Sequence, residues 1–282
     1  MNGRKDFFVA SSEKGFKIAI AGKGGVGKTT VAAGLARLFA DEGRRVIAVD
    51  ADPDANLGAA LGASPEQLEA LVPLARMDDL IAERAGSPGG FFRLNPKVDD
   101  LPEKISIDVN GVKLLVLGLV EKGGSGCICP ESAMLKALVR HLVIEADDVV
   151  ILDMEAGIEH LGRGTAAYTD AFIAIAESGR RSIQTAKAVA KLAAEIGVAK
   201  CFLAVNKVRS QEESLAVRRE LSELTFLGSV SENEEIREAD ISGRACEDPR
   251  FLSELAGIKS ALVQKIAEAT VKEKALKLET GS

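Results

Sequence analysis

The feature that most constrains this chain is a glycine- and lysine-rich stretch near its start, GKGGVGKTT from Gly22 to Thr30. It follows the short apolar run 18–21 and precedes apolar residues at helical spacing, including Leu35 and Leu38. This is the strand–loop–helix context that a phosphate-binding loop requires. Glycines permit the tight turn that points successive backbone N–H groups at phosphate oxygens, and the following helix adds the positive end of its dipole. The stretch therefore predicts a nucleoside triphosphate site.

Individual positions of the loop have expected roles. Lys28 reaches the β- and γ-phosphates, and the hydroxyl of Thr29 ligates Mg²⁺. The other residues expected around the phosphates are Gly24, Gly25, Val26, Gly27 and Thr30. A glycine-rich turn in an ordinary Rossmann-like unit is the simpler alternative. The spacing from the first glycine to the lysine and threonine is complete, which disfavours that alternative.

A second lysine, Lys23, stands directly after the first glycine, although a phosphate loop needs only one. This arrangement resembles the deviant Walker A loop of the MinD, ParA, ArsA and nitrogenase iron-protein superfamily. In that superfamily the early lysine crosses a dimer interface to the partner's nucleotide. The resemblance therefore implies a nucleotide-dependent homodimer in which Lys23 takes part in catalysis. A solvated loop lysine is the alternative.

Composition limits the classes of protein that this chain can belong to. Of the 282 residues, 46% are hydrophobic and 28% charged, as is ordinary for a soluble globular protein. The net charge of −6 disfavours a nucleic-acid partner. The sequence has no apolar stretch of the roughly 20 residues that a membrane span needs, and residues 1–15 lack the apolar core of a signal peptide. We therefore expect a cytoplasmic protein with no membrane partner and a flexible extension over residues 1–16.

Predicted strands alternate with predicted helices along the chain, which predicts a mostly parallel, doubly wound α/β sheet with helices on both faces. Together with the loop, this is a single-domain P-loop NTPase fold. The predicted strands are 17–21, 46–49, 112–117, 148–152, 171–176, 201–205 and 226–230, with 105–109 joined to 112–117 by an Asn110–Gly111 turn. The predicted helices are 29–42, a short one capped by Ser64, 74–84, 131–142, 181–196, 212–224 and 251–278.

No linker divides the chain, so we expect one ATPase domain over residues 17–270 and a solvated tail over 271–282. The C-terminal segment carries apolar residues at helical spacing, such as Leu255 and Leu262. A membrane-targeting helix would have the same spacing. Acidic residues, among them Glu268 and Glu273, stand between its lysines, which favours packing against the core.

Three aspartates stand at predicted strand ends. Asp153 ends the apolar run 149–152, the pattern of a Walker B strand, so its carboxylate is expected to hold Mg²⁺ directly or through water. Gly157, four residues on, has the spacing of a loop that senses the γ-phosphate. The resemblance implies that Asp52 orients the attacking water, with Asp50 near the Mg²⁺ shell. For either aspartate alone, a helix cap or a turn is the commoner explanation.

Asn206 and Lys207 follow another apolar run, at the same expected edge of the sheet. An asparagine amide can pair with the donor–acceptor edge of adenine, and superfamily relatives use such a residue for the base. The two residues are therefore predicted to belong to the nucleotide site.

The segment Cys127–Ile128–Cys129 lies in a loop rich in glycine, whereas structural cysteines usually pack in apolar surroundings. This setting therefore favours either reactive thiols or metal binding, and we predict that both thiols bind metal. A closed site for zinc wants four ligands, and two copies of the chain on a two-fold axis supply them. Thiolates also suit nickel or copper(I), so the motif leaves the metal open. The remaining cysteines, Cys201 and Cys246, are expected to be structural.

With these residues assembled, the chain resembles the nickel-insertion ATPases of the CooC type and their AcsF relatives. The segments that carry the resemblance are GKGGVGKTT from Gly22, VDADPDANLG from Val49, LNPKVDDLPEK from Leu94, EKGGSGCICPE from Glu121 and DMEAGIEHLGRGT from Asp153. It departs from the relatives at Glu177–Ser178, where they often have Glu-Pro.

The resemblance implies an ATPase that binds ATP or ADP with Mg²⁺ and delivers nickel to carbon monoxide dehydrogenase or acetyl-CoA synthase. Zinc is a possible metal in the isolated protein, and Cys127 and Cys129 are the implied ligands, shared across the dimer. Two other functions stay open. An iron–sulfur cluster carrier usually has its paired cysteines spaced Cys-x-x-Cys, and a partitioning ATPase needs a basic patch.

Overall fold

The computed structural model describes residues 15–52, 54–87, 91–118, 129–144, 148–154, 169–198 and 200–280, with the backbone alone at 144 and over 270–280. Its centre is an eight-stranded sheet. The strands are β1 (Lys17–Gly22), β2 (Val46–Asp50), β3 (Ile107–Val109), β4 (Val112–Val116), β5 (Val149–Asp153), β6 (Ala171–Ala176), β7 (Cys201–Val208) and β8 (Thr225–Ser231). They are ordered β3-β4-β2-β5-β1-β6-β7-β8. Only the β3–β4 pair is antiparallel among the described strands.

Helices connect and cover these strands. They are α1 (Lys28–Asp41), α2 (Leu57–Leu61), α3 (Pro65–Ala70), α4 (Asp78–Arg84), α5 (Leu101–Ile105), α6 (Pro130–Ile144), α7 (Arg180–Glu195), α8 (Gln211–Glu220), α9 (Glu234–Ile241) and α10 (Pro249–Thr280). The predicted capping box is present at α3, where the Ser64 side chain accepts the Gln67 N–H and the Gln67 side chain accepts the Ser64 N–H. The doubly wound α/β prediction is confirmed.

The central strands β1, β2, β5 and β6 are buried on both faces, as their continuous apolar sequences require. Side chains alternate along β1. Ile18 and Ile20 pack in the core beneath α1 and α10, while Ala19 and Ala21 face the clusters formed with α6, α7 and α8. The alternation explains why every residue of β1 is buried. The glycine-rich loop follows directly from this fully buried central strand.

The C-terminal helix α10 belongs to the core, as predicted. Three of its apolar residues, Leu255, Ile258 and Leu262, are fully buried. A Cβ added at Gly34 of α1 would lie 2.2 Å from a methyl of Leu255, so the two helices approach closely at a glycine. Among the described residues, no helix is both long and apolar enough to cross a lipid bilayer.

Several predicted boundaries differ from the structure. The predicted 74–84 helix divides into a 3₁₀ turn (Leu74–Arg76) and α4, because Met77 has a non-helical backbone. The predicted strand 105–109 starts later, since Ile105 ends α5. Strand β7 continues through Asn206 and Lys207, which were expected to follow it. Three short helices, α2, α5 and α9, were not predicted, because they are too short for an apolar periodicity to be visible.

Candidate functional site

The predicted site residues meet at the carboxyl edge of the central strands. In the parallel register, Asp153 of β5 lies beside Ile20 of β1 on one side and beside Asp50 of β2 on the other. The glycine-rich loop leaves β1 two residues beyond Ile20. Open parallel sheets bind ligands at this edge, so the topology brings the loop and two of the three aspartates to one place.

The loop backbone has the form that a phosphate cradle requires. Gly25 and Gly27 have positive φ angles of 73° and 91°, in the left-handed region that glycine adopts without a steric penalty. The Val26 N–H donates to the Lys23 carbonyl over 3.2 Å and closes the turn. A Cβ added at Gly24 or Gly25 would meet no atom within 4 Å beyond the neighbouring residues. The loop backbone therefore has open space beside it, as the approach of an anion to backbone N–H groups requires.

The lysine of the loop, Lys28, is directed into the site and not into solvent. It is the first residue of α1 and only 5% exposed, and its Nζ lies 3.9 Å from Oδ2 of Asp52. At this length the contact is a weak ion pair. Both charged groups therefore lie beside the loop and close to each other. A phosphate that approaches the Lys28 ammonium also approaches the Asp52 carboxylate.

Among the site residues, Asp153 has the pKa that burial shifts most. Its side chain is fully buried, and neither carboxylate oxygen has a hydrogen-bond partner of normal geometry among the described residues. Burial raises the pKa of Asp153 to about 7, while the nearby Thr29 hydroxyl and Lys28 ammonium lower it and the Asp50 carboxylate raises it further. A buried carboxylate with unsatisfied oxygens beside a threonine hydroxyl is the donor set that a hard cation such as Mg²⁺ prefers. These residues fit a magnesium ion.

Asp50 is buried as completely but is satisfied. Its two oxygens accept the backbone N–H groups of Asp52, over 3.1 Å, and Leu57, over 2.8 Å. Burial raises the pKa of Asp50 to about 6, opposed by these two hydrogen bonds. Asp50 therefore ties down the loop that carries Asp52. Its place near the Mg²⁺ shell stays a prediction.

Asn206 and Lys207 contact the phosphate loop from the side. The Asn206 amide donates to the Val26 carbonyl over 2.8 Å, and Lys207 Nζ donates to the Gly25 carbonyl over 2.7 Å. Lys207 also has a positive φ of 56°, which is uncommon for a residue with a side chain. Together they hold two consecutive loop carbonyls. Recognition of the adenine base by Asn206 stays a prediction.

The second lysine, Lys23, is paired within its own chain. Its Nζ lies 3.3 Å from Oε1 of Glu177, and the two side chains are 39% and 24% exposed. Glu177 directly follows β6, the neighbour of β1 in the sheet. In the sequence, Glu177 is notable only as the first residue of the pair Glu177–Ser178, where relatives often have Glu-Pro and only the second residue differs. Its position directly after an apolar strand, like that of the aspartates, is the signal that would have identified it.

Of the two predicted metal-binding cysteines, only Cys129 is among the described residues; Cys127 lies outside them, as does Gly157. Cys129 directly precedes α6, where its Sγ accepts the Ser132 N–H over 3.5 Å and its carbonyl accepts the Ala133 N–H. The start of a helix favours a thiolate, the form of cysteine that binds metal. The described residues contain no cluster of three or more His, Cys, Asp or Glu side chains that could hold a metal.

Residues 17–245 match the CobQ/CobB/MinD/ParA nucleotide-binding domain. The chain is 42% identical over 255 residues to the carbon monoxide dehydrogenase accessory protein CooC of Rhodospirillum rubrum, covering 89% of this chain and 97% of that protein. It is 44% identical over 235 residues to an uncharacterised ATP-binding protein of Methanocaldococcus jannaschii, covering 81% and 90%.

Solved structures with the same fold are more distant in sequence. A plasmid partition protein of Borrelia burgdorferi, bound to AMPPNP, superposes with a TM-score of 0.67 at 18% identity, covering 89% of this chain and 99% of that one. MinD of Aquifex aeolicus, in complex with MinC, gives a TM-score of 0.63 at 18% identity, covering 88% and 96%. At this identity the likeness concerns the fold.

Proposed function

Because the chain belongs to the CobQ/CobB/MinD/ParA family of nucleotide-binding domains, we propose that it is an ATPase that matures a nickel enzyme, carbon monoxide dehydrogenase or acetyl-CoA synthase. The similarity to CooC, across 97% of that protein's length, favours carbon monoxide dehydrogenase as the client. Mg-ATP hydrolysis is the chemical reaction, and nickel is the cargo.

One observation carries the ATPase proposal, the buried and unsatisfied carboxylate of Asp153 beside the phosphate loop. In the proposed complex, Lys28 binds the β- and γ-phosphates, while Thr29 and Asp153 hold Mg²⁺. The metal supplies positive charge that offsets the charge on the phosphates. Asp52, 3.9 Å from Lys28, orients the attacking water and accepts its hydrogen bond.

Two substitutions separate nucleotide binding from hydrolysis. Lys28→Ala removes the charge that contacts the phosphates, so ATP affinity measured by calorimetry should fall at least tenfold or so, as for other buried charge pairs. Asp52→Asn retains the shape of the side chain, so affinity should change little while turnover falls about 10²-fold or more. The matched control is Asp54→Asn, an exposed aspartate two residues on, which should turn over ATP at the native rate. Native turnover by Asp52→Asn would contradict the assignment of the water-orienting residue.

The metal site is proposed to form between two subunits. Cys129 stands at the start of α6 with its sulfur toward a backbone N–H, and Cys127 is two residues before it in the chain. Two thiolates per chain fall short of a tetrahedral site, and a two-fold dimer supplies the other two. If Lys23 bridges to the partner's nucleotide, ATP and metal both favour the dimer, so each strengthens the binding of the other. Hydrolysis then weakens the site and releases nickel to the client.

Equilibrium dialysis with Ni²⁺ or Zn²⁺ tests the shared site, which should hold about half a metal ion per chain by its ligand count. Cys127→Ser and Cys129→Ser should each lose this binding. Cys201→Ser is the control, because burial raises the pKa of the Cys201 thiol to about 12 and keeps it protonated. A full equivalent of metal per chain, or binding unchanged in the Cys127 and Cys129 variants, would reject the shared site. A visible iron–sulfur absorption in anaerobically purified protein would favour the cluster-carrier alternative.

A further inference from the structure

The loop lysine that distinguishes this chain from ordinary phosphate loops, Lys23, has a contact that the proposed function does not use. Its ammonium is 3.3 Å from the carboxylate of Glu177, a residue 154 positions away in sequence. Gly22 ends β1 and pairs in register with Ile175 of β6. Lys23 and Glu177 therefore leave the same sheet edge from neighbouring parallel strands, which explains why their side chains meet.

The position of Glu177 is fixed by its backbone. Its N–H donates over 3.0 Å to the hydroxyl of Ser182, which is fully buried in the first turns of α7. The start of the loop is held by the pairing of Gly22 with Ile175 of β6, where a Cβ added at Gly22 would lie 2.5 Å from the Ile175 carbonyl oxygen. Two anchored backbone segments thus present opposite charges to each other at the mouth of the site.

We propose that Glu177 is a positioning residue that holds Lys23 against its own subunit, and that nucleotide-dependent dimerisation requires this ion pair to open. The inference rests on the proposed function, in which Lys23 reaches the partner's nucleotide. A lysine paired in its own chain is not extended toward a partner. The triphosphate of the partner offers Lys23 several negative charges in place of the single charge of Glu177, so the exchange is favourable only when ATP is bound there.

The exposure of the pair suits a contact that must open. Ion pairs with this degree of exposure are weak, and the loss of one pair changes the equilibrium constant of a process that opens it about 1.4- to 5-fold. A dimer opens two such pairs, so removing both should tighten the dimer about 2- to 30-fold. The contact therefore sets the protein concentration at which dimers form without preventing them.

Sedimentation velocity of the full chain tests this, with Mg²⁺ and the non-hydrolysable analogue AMPPNP at low salt. Glu177→Gln should lower the dimer dissociation constant about 2- to 30-fold relative to the native chain, and should leave the nucleotide-free chain unchanged. Lys23→Gln should abolish the AMPPNP-dependent dimer, and the double variant should behave as Lys23→Gln alone. If Glu177 acts only through Lys23, Glu177→Gln has no effect on dimerisation once Lys23 is replaced. A merely structural role of Glu177 would not make its effect depend on Lys23.

The matched control is Glu220→Gln, which removes the same charge from another lysine–glutamate pair, Lys187–Glu220, at 3.4 Å. It should leave dimerisation unchanged. If Glu220→Gln lowered the dimer dissociation constant equally, the effect would come from the change in net charge, and the proposal would be overturned. If the native chain forms an AMPPNP-dependent dimer that Lys23→Gln abolishes, but Glu177→Gln has no effect or weakens it, the proposal is overturned while the dimer stands. If Lys23→Gln dimerises like the native chain, the bridging role of Lys23 fails and the proposal fails with it.

Discussion

The unsatisfied carboxylate of Asp153 leads to a prediction about stability. Without nucleotide and Mg²⁺, this group is buried with no hydrogen-bond partner of normal geometry among the described residues, and burial raises its pKa from 3.8 to about 7. Its contribution to stability is fully present below pH 3.8 and is lost as the pH rises through 7, because the folded state binds the proton more tightly. For a shift of this size, the stability lost relative to low pH is about 4 kcal/mol at pH 8 and roughly 2 kcal/mol at pH 5.

Asp153→Asn removes the charge and keeps the shape, so in EDTA and without nucleotide it should stabilise the protein at pH 8. We expect the free energy of unfolding to rise by up to about 4 kcal/mol, which raises the thermal midpoint by several degrees for a chain of this length. The gain should shrink by about half at pH 5. Differential scanning calorimetry at the two pH values measures it. Mg-ATP, which should protect the native protein against heat, should protect the variant much less.

The matched control is Asp50→Asn, the same substitution at the paired position on the neighbouring strand. Asp50 accepts two backbone hydrogen bonds, and an amide with one oxygen cannot satisfy both N–H groups well. The increase in the free energy of unfolding at pH 8 should therefore be clearly smaller for Asp50→Asn than for Asp153→Asn. The reasoning is refuted if Asp153→Asn is no more stable than the native protein at pH 8, because the carboxylate would then have a compensating partner.

Two further predictions concern the loop and the core. Gly27→Ala should reduce ATP affinity at least tenfold or so, because the residue has a φ of 91° and a Cβ would lie 2.2 Å from the Asn206 amide nitrogen; native affinity by calorimetry would contradict this geometry. Leu255→Ala should lower the free energy of unfolding by about 2–5 kcal/mol, measured by urea denaturation, because this fully buried leucine of α10 packs against Gly34. Native stability would mean that α10 is not part of the core.

The parts of the fold that sequence could predict are those with a strong periodic or local signal. Continuous apolar runs such as 149–152 are strands because a parallel sheet buries both faces, and the glycine spacing from Gly22 specifies the loop and its helix. Because Asp50 and Asp153 each follow a predicted strand, the sequence also predicted both at the carboxyl edge of the sheet.

The remaining features depend on contacts between distant segments, which no local pattern records. The pairing of Lys23 with Glu177 follows from the β1–β6 register, and the hydrogen bonds of Asn206 and Lys207 to the loop follow from the extension of β7 beyond its apolar run. The left-handed backbone of Lys207 is unusual for a lysine, so sequence alone could not indicate it.

In the proposed function, ATP and the cysteine pair act together to load nickel into a client enzyme. The most direct measurement is the activation of nickel-free carbon monoxide dehydrogenase by the purified protein with limiting Ni²⁺ and Mg-ATP. Activation should require ATP and should be lost in Lys28→Ala and in the Cys127→Ser and Cys129→Ser variants, while Cys201→Ser retains it. Equal activation without ATP, or by the cysteine variants, would contradict the account.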